Sequence, residues 1–152
     1  MNRQIKFRGK HISSGKWVFG DLIHGVGCHY GNSYILPNQQ WLPTDCDPLD
    51  GYRVNPDSVG QFTGITDING TEIYEDDALK VTQIRPKDSA PEDRGICLVK
   101  FSPWYGWNLG TDKVRYVVEG KTKLGPIDKI EVIGNIHDNS ELLKGGDYGR
   151  NI

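Results

Sequence analysis

The dipeptide Asn69-Gly70 constrains this chain more than any other feature, because it lies between two apolar runs. An Asn-Gly pair in that setting is the strongest local signal for a β-hairpin. Two registers fit the sequence. A two-residue loop places Asp67 opposite Glu72, and like charges directly opposite each other are unfavourable. A three-residue loop pairs Asp67 with Thr71, closes on a left-handed Gly70, and lets the aspartate carboxylate accept backbone N–H groups. We therefore favour the three-residue loop.

Composition favours short strands and turns over long helices. The chain of 152 residues has 19 glycines and 8 prolines, spread along its length. No segment keeps apolar residues at the i, i+3, i+4 spacing of an amphipathic helix over three turns. We predict a mainly β fold of short antiparallel strands with at most one or two single helical turns. The turns are expected after Asn55, with Pro56 in the first helical position, and after Asn139.

Segments with strand composition follow one another along most of the chain. They lie at residues 5–9, 17–23, 32–36, 60–65, 78–84, 96–101, 107–109, 114–118 and 129–136. The polar, proline-marked residues 85–94 are predicted to form an exposed loop. In this organisation residues 1–145 form one domain, which starts with a β-meander and an irregular loop over residues 1–59. Residues 146–152 are predicted to be a flexible tail.

Charge and hydropathy exclude several classes of protein. The net charge of −2 gives no general attraction for polyanions. The basic N-terminus carries no apolar signal region, and no run is long enough to span a bilayer, so we expect a cytoplasmic protein without membrane association. The three cysteines, Cys28, Cys46 and Cys97, are too sparse for a disulfide framework. Cys97 is predicted to be a small buried apolar residue.

The hairpin segment also resembles part of a calcium-binding loop. Asp67, Asn69 and Gly70 match three positions of such a loop. In that alignment, however, the first ligand would be Ile65, which has no side-chain oxygen. We therefore interpret Asp67, Asn69 and Gly70 as structural turn residues.

A second group combines residue types that bind zinc. His24, Cys28 and His29 lie close together in the sequence, but their spacing matches no common zinc motif. Asp21 with the two histidines would be a catalytic alternative. A glycine-rich loop between strands is the interpretation that we favour, and we expect no metal and no cofactor.

One further constellation joins the acidic run 75–77 with the distant His137. A histidine oriented by a carboxylate is the arrangement that general bases use. No nucleophile, phosphate-binding or metalloprotease motif at a recognised spacing accompanies it. We therefore predict no catalytic residues and interpret the acidic run as a tight polar corner.

Aromatic side chains supply the candidate interaction surface. Trp104, Tyr105 and Trp107 lie in one short segment, and Tyr30 and Trp41 lie in the irregular N-terminal loop. Trp and Tyr are enriched among the residues that dominate protein–protein binding energy. The alternative for Trp104 and Trp107 is burial in the core, which the sequence does not decide.

Five blocks of residues carry a resemblance to a known family. They are residues 5–9, 16–22, 54–64, 67–77 and 131–143. Through these blocks the chain resembles the YopX protein family of phages and prophages over nearly its whole length. The family usually has glycine at the position of Asp76 and a β-branched residue at that of Ala78, and it tends to have proline where Ser140 stands. These departures affect a turn and a cap and leave the resemblance intact.

The resemblance implies a mostly β fold that includes a small, partly open SH3-like barrel over residues 60–145. It implies no established activity. We therefore predict a non-enzymatic accessory protein that binds a phage or host protein or forms a homo-oligomer. The alternative is a small barrel that binds nucleic acid through basic residues near aromatic ones. The basic residues concerned are Lys100, Lys113 and Arg115, together with Arg3, Lys6, Arg8 and Lys10.

Overall fold

The computed structural model describes residues 4–25, 31–37, 51–83, 92–103, 106–108 and 128–143. Contacts within the chain divide it into two compact units, Met1–Gly64 and Ile65–Ile152. The boundary between them falls within one strand of the chain, residues Gly60–Thr66.

The first unit is an antiparallel sheet. Its strands are β1 (Phe7–Lys10), β2 (Trp17–His24), β3 (Ser33–Leu36), β4 (Arg53–Val54) and the first part of β5 (Gly60–Thr66). Their order in the sheet is β4-β3-β2-β1-β5. The predicted antiparallel pairing of the first two strands is confirmed, with Arg8 opposite Phe19 and Lys10 opposite Trp17. Strand β4 was not predicted, because a two-residue strand is too short to show a period.

Strand β3 is buried over its whole length, and the neighbouring strand β2 approaches it closely. Tyr34, Ile35 and Leu36 are all buried, so both faces of β3 are covered. A Cβ atom placed on Gly20 of β2 would lie 1.7 Å from the carbonyl oxygen of Leu36. Only glycine therefore fits at residue 20 without a shift of the backbone.

The first single helical turn forms as predicted. It is a 3-10 turn over Pro56–Ser58, and the side-chain oxygen of Asn55 accepts the backbone N–H of Asp57 at 3.1 Å. Proline occupies the first position, where its missing N–H leaves no donor unsatisfied. The Ser58 hydroxyl accepts the backbone N–H of Lys10 at 2.8 Å, which joins the turn to β1.

The described residues of the second unit contain the end of β5 and six further strands. They are β6 (Glu72–Tyr74), β7 (Asp77–Gln83), β8 (Glu92–Leu98), β9 (Lys100–Ser102), β10 (Gly106–Asn108) and β11 (Asp128–Asn135). Strand β6 pairs with β5, β9 pairs with β10, and β11, β7 and β8 form a three-stranded antiparallel sheet. The second predicted helical turn is a 3-10 turn over Ser140–Leu143. The mainly β, antiparallel prediction is confirmed, whereas no sheet among the described strands closes and the SH3-like barrel is not confirmed.

Two predicted boundaries in this unit were wrong. The single strand predicted at 96–101 is interrupted at Val99. The backbone of Val99 forms two hydrogen bonds with Asp76 and Asp77, at the start of β7. Its N–H donates to Asp77 at 2.9 Å, and its carbonyl accepts from Asp76 at 2.9 Å. The loop predicted at 85–94 extends too far, because β8 begins at Glu92. The strand predicted at 114–118 lies outside the described residues.

The core of the second unit combines strands from different pairings. Ile73, Leu79, Val99 and Trp107 are buried together, and Ile65, Ile130 and Val132 pack against them. Cys97 is also buried, as predicted. Burial of these side chains supplies the main favourable free energy of the unit.

The hairpin between β5 and β6 has the three-residue loop that the sequence favoured. The Asp67 carbonyl accepts the Gly70 N–H at 3.1 Å, and the Asp67 N–H donates to the Thr71 carbonyl at 2.8 Å. Gly70 has a φ of +82°, in the left-handed region. In this geometry Asp67, Asn69 and Gly70 lie in the turn between β5 and β6.

The Asp67 carboxylate connects this turn to β11. Its Oδ1 accepts the backbone N–H groups of Asn69 and Thr71, both at 2.8 Å, and its Oδ2 accepts that of Val132 at 3.1 Å. Burial of the carboxyl raises its pKa, but the N–H donors of Val132, Thr71 and Asn69 lower it. The net result is a pKa of Asp67 below its ordinary value.

We expect the substitution Asp67→Asn to destabilise the protein by about 2 kcal/mol at pH 7, since an amide offers a single acceptor oxygen and turns its NH₂ toward backbone donors. The folded pKa of Asp67 lies below the unfolded value of about 3.9. The stabilisation by the carboxylate is therefore complete above that unfolded value and is lost as pH falls through the folded pKa. Urea unfolding of both proteins between pH 8 and pH 2 measures it.

The exposed Asp57 provides the matched control, because Asp57→Asn makes the same chemical change at another turn. The free-energy gap between the wild type and Asp67→Asn should be constant from pH 6 to pH 8 and should narrow below about pH 4. A gap that stays constant down to pH 2, or an equal effect of Asp57→Asn, would contradict the role given to the Asp67 carboxylate.

Candidate functional site

The acidic corner, Glu75–Asp77, joins β6 to β7. The Asp77 carboxylate accepts the backbone N–H of Tyr74 at 2.8 Å, which closes the corner. Asp76 is buried and has a φ of +69°, in the left-handed region that disfavours side chains other than those of Gly, Asn and Asp. Its carbonyl also accepts the N–H of Ile136 at 3.1 Å. The corner is therefore held by a side-chain bond to the backbone of β6 and by a backbone bond to Ile136, directly after β11.

The Asp76 carboxylate binds two basic side chains. Lys100 Nζ donates to Oδ1, and His137 Nε2 lies 3.3 Å from Oδ2. The His137 backbone is held in turn, because Asn135 Oδ1 accepts the N–H groups of His137 and Asp138, both at 3.0 Å. The imidazole and the carboxylate are both largely shielded from solvent, whereas about half of the Lys100 side chain is exposed.

This cluster brings together part of the constellation that the sequence indicated. Asp76 and His137 are within hydrogen-bonding distance, and a carboxylate that orients a histidine is half of a general-base arrangement. The Asp77 carboxylate does not join this cluster and instead accepts the backbone N–H of Tyr74. Lys100 was missed, because 24 residues separate it from Asp76 and no local pattern links the two. These contacts explain the cluster as a structural one, in which Lys100 and His137 hold the carboxylate of a corner residue that has an unfavourable backbone conformation.

The described residues contain no group of three or more His, Cys, Asp or Glu side chains placed to hold a metal ion. Within the zinc-type group, His24 lies at the end of β2. Cys28 and His29 lie outside the described residues, as does Cys46.

The aromatic hairpin, β9 with β10, contains the described part of the predicted interaction surface. Trp107 lies directly opposite Phe101, with ring centroids 5.1 Å apart and planes at 69°, an edge-to-face contact. Trp107 is only 3% exposed and belongs to the core, which corrects its prediction as a surface residue. Phe101 is 53% exposed and is the surface residue of this aromatic pair. The other predicted surface residues, Trp104, Tyr105, Tyr30 and Trp41, lie outside the described residues.

Phe101 was missed because residues 96–101 were predicted to form a single, nearly continuous apolar strand. On paired strands, however, two aromatic residues in direct opposition share one face. The register that places Phe101 opposite Trp107 would have identified the pair.

A basic–aromatic face lies on the first unit. It is formed by Lys6, Arg8, Lys10, Trp17, Phe19 and Phe62. The Lys6 ammonium lies 4.9 Å from the Phe62 ring centroid, and the Arg8 guanidinium and the Lys10 ammonium lie 4.6 Å and 5.6 Å from that of Trp17. These are cation–π distances. The face therefore combines positive charge with aromatic rings, a combination that the net charge of the chain conceals.

A family model described as "YopX protein" matches residues 6–144 of the chain, which is most of its length. No curated protein matches the chain. No helix among the residues described by the structure is long and apolar enough to cross a membrane.

We expect Asp76→Ala to destabilise the protein more than Asp76→Gly, by about 1 kcal/mol. Both substitutions remove the carboxylate that binds Lys100 and His137. Only glycine takes the left-handed conformation of residue 76 without a steric penalty. Urea unfolding followed by tryptophan fluorescence measures the difference.

The same pair of substitutions at Asp57 is the matched control, since Asp57 lies in a 3-10 turn with ordinary backbone angles. There alanine should be the more stable of the two. If alanine is also the more stable at residue 76, the left-handed conformation assigned to Asp76 is wrong.

Proposed function

The chain belongs to the YopX protein family, and we propose that it is a non-enzymatic accessory protein that acts by binding another protein. The observation that carries this proposal is the exposed Phe101 ring, held in place by the buried Trp107 beneath it. As the resemblance implies, its setting is the cytoplasm of a phage-infected or prophage-carrying host. Its partner is a phage or host protein or a second copy of the chain.

An aromatic ring that is fixed before binding is suited to an interface. Binding costs less side-chain entropy when the ring is already held, and aromatic residues are enriched in the buried centre of interfaces. Single exposed apolar residues are common on protein surfaces and need no explanation. Phe101 differs from them because a core tryptophan supports it and because Trp104 and Tyr105 follow within four positions of the sequence.

We also propose that the second unit is a small, partly open SH3-like barrel. The support is its core, where Ile73 of β6, Leu79 of β7 and Trp107 of β10 pack together although their strands belong to different pairings. A barrel requires the outer edge of β8 to pair with a further strand. Slow exchange of the β8 amide protons is expected in such a barrel, and amide protons of β8 that exchange as freely as those of a loop would contradict it.

Replacement of Phe101 tests the protein-binding proposal. The full chain with a purification tag is used to capture proteins from nuclease-treated host lysate, and its own molar mass is measured by light scattering. A partner that depends on a hot-spot aromatic residue should bind the Phe101→Ala variant about 30-fold more weakly. If the chain associates with itself, the Phe101→Ala variant should self-associate about 30-fold more weakly. The loss is expected because alanine removes the ring that fills the interface.

Phe19→Ala is the matched control, since Phe19 is an exposed phenylalanine of the first unit. It should retain the partner or the oligomer. Circular dichroism and Phe101→Leu, which keeps apolar contact with Trp107, separate a binding defect from a folding defect. Identical captured proteins and molar mass for the wild type and Phe101→Ala would overturn the proposal.

A further inference from the structure

The turn between β5 and β6 combines a chemically reactive pair of residues with exposure to solvent. Asn69-Gly70 is the single Asn-Gly pair of the chain, and both of its residues are exposed. A Cβ atom placed on Gly70 would meet no atom of the described residues, its chain neighbours aside, within 4 Å. Because glycine carries no Cβ atom, its backbone nitrogen is the least hindered of all in attack on the preceding side chain.

The reaction open to such a pair is deamidation. The Gly70 backbone nitrogen gives up its proton and attacks the side-chain carbonyl carbon of Asn69, Cγ. A new N–C bond forms, the bond from Cγ to the side-chain nitrogen breaks, and the proton and that nitrogen leave as ammonia. Water then opens the resulting succinimide ring at one of its two carbonyl groups. The product is aspartate or isoaspartate at residue 69, and one water molecule is consumed for each ammonia released.

Hydrogen bonds of the turn hold the groups that this reaction must move. The Gly70 N–H donates to the Asp67 carbonyl at 3.1 Å, and the Asn69 N–H donates to Asp67 Oδ1 at 2.8 Å. The Asn69 side-chain Nδ2 donates to Glu131 Oε1 at 3.5 Å. Loss of a proton would make the Gly70 nitrogen anionic, which the nearby Asp67 carboxylate disfavours because like charges repel. The closed turn therefore opposes the first step of the reaction.

We propose that Asn69 is a site of spontaneous deamidation and that the Asp67 turn controls its rate. The reaction is slow in the closed turn and accelerates when the turn opens. Its products weaken the turn in their own right. Either product exchanges the amide that contacts Glu131 for a carboxylate, so attraction becomes repulsion. Isoaspartate also adds a carbon atom to the backbone, which displaces the Gly70 N–H from the Asp67 carbonyl.

Peptide mapping by mass spectrometry tests the proposal on the full chain, incubated at pH 8 either folded or unfolded in concentrated urea. Conversion of Asn69 adds one dalton, and an isoaspartate-specific methyltransferase labels the isoaspartate product. The folded chain should convert about tenfold more slowly, because a hydrogen bond must break before the nitrogen can attack. Asp67→Ala, shown to be folded by circular dichroism, should convert about fivefold faster than the folded wild type. If Asp67→Ala does not fold, Asp67→Ser takes its place, with the same direction expected.

Asp57→Ala is the matched control, because it removes an exposed aspartate from another turn, and it should convert at the wild-type rate. Asn55 serves as a chemical control in every sample. The nitrogen of Pro56 has no hydrogen to lose and cannot close the ring, so Asn55 should stay unmodified. In urea, Gly70→Ala should slow the conversion, since its added Cβ atom hinders the attack.

Three results would overturn the control of deamidation by the turn: an unmodified Asn69 in urea, equal rates in the folded and unfolded chains, or a wild-type rate for a folded Asp67 variant. Asn69→Asp reproduces one product and should unfold at a lower urea concentration than the wild type. An unchanged or higher unfolding midpoint would contradict the effect assigned to the new carboxylate. None of these measurements involves Phe101, so the protein-binding proposal stands or falls separately.

Discussion

A single ionised carboxylate determines how the hairpin of the second unit is attached to its last strand. Asp67 accepts N–H groups from its own turn and from Val132 of β11, and all three donors belong to the backbone. Because backbone donors recur at every residue, the position of the acceptor selects which of them pair. A slip of one residue would turn Ile130 and Val132 away from the core, since side chains alternate across a strand. The apolar core of this unit therefore depends on a polar contact at its margin.

The acidic corner, Glu75–Asp77, also connects separate backbone segments through the hydrogen bonds of its aspartates. Asp77 bonds the Tyr74 backbone through its side chain and Val99 through its carbonyl, while Asp76 bonds the backbones of Val99 and Ile136. The ends of β6, β8 and β11 thus meet at two consecutive aspartates. Acidic residues that look like metal ligands in the sequence act in the structure as connectors between backbone segments.

Local chemistry could be predicted from the sequence, and long-range contacts could not. The register at Asn69-Gly70 and the turn capped by Asn55 depend on residues within five positions of each other, so charge repulsion and capping geometry decided them. The pairing of Lys100 with Asp76 depends on how the strands are arranged, which no local pattern records. The interruption of the strand at Val99 has the same cause, because its hydrogen bonds go to the corner.

The aromatic residues show the limit of composition as a guide to a site. The sequence marked Trp107 as a surface candidate and left its burial open, because composition does not say which ring of a cross-strand aromatic pair the core covers. Trp107 is buried, whereas Phe101, directly opposite it on the paired strand, is exposed. On the first unit, cation–π contacts group residues whose rings and charges are distant in the sequence, such as Lys6 and Phe62.

The left-handed Asp76 also bears on how such a corner can change between related chains. Glycine and aspartate codons can differ by a single base, so one base change exchanges glycine and aspartate at such a position. The same step that adds a side chain to a left-handed backbone position adds the carboxylate that Lys100 and His137 bind. Strain and compensation thus arise together, and no intermediate residue is required. Later loss of Lys100 or His137 would leave the strain without its offset and would favour a return to glycine.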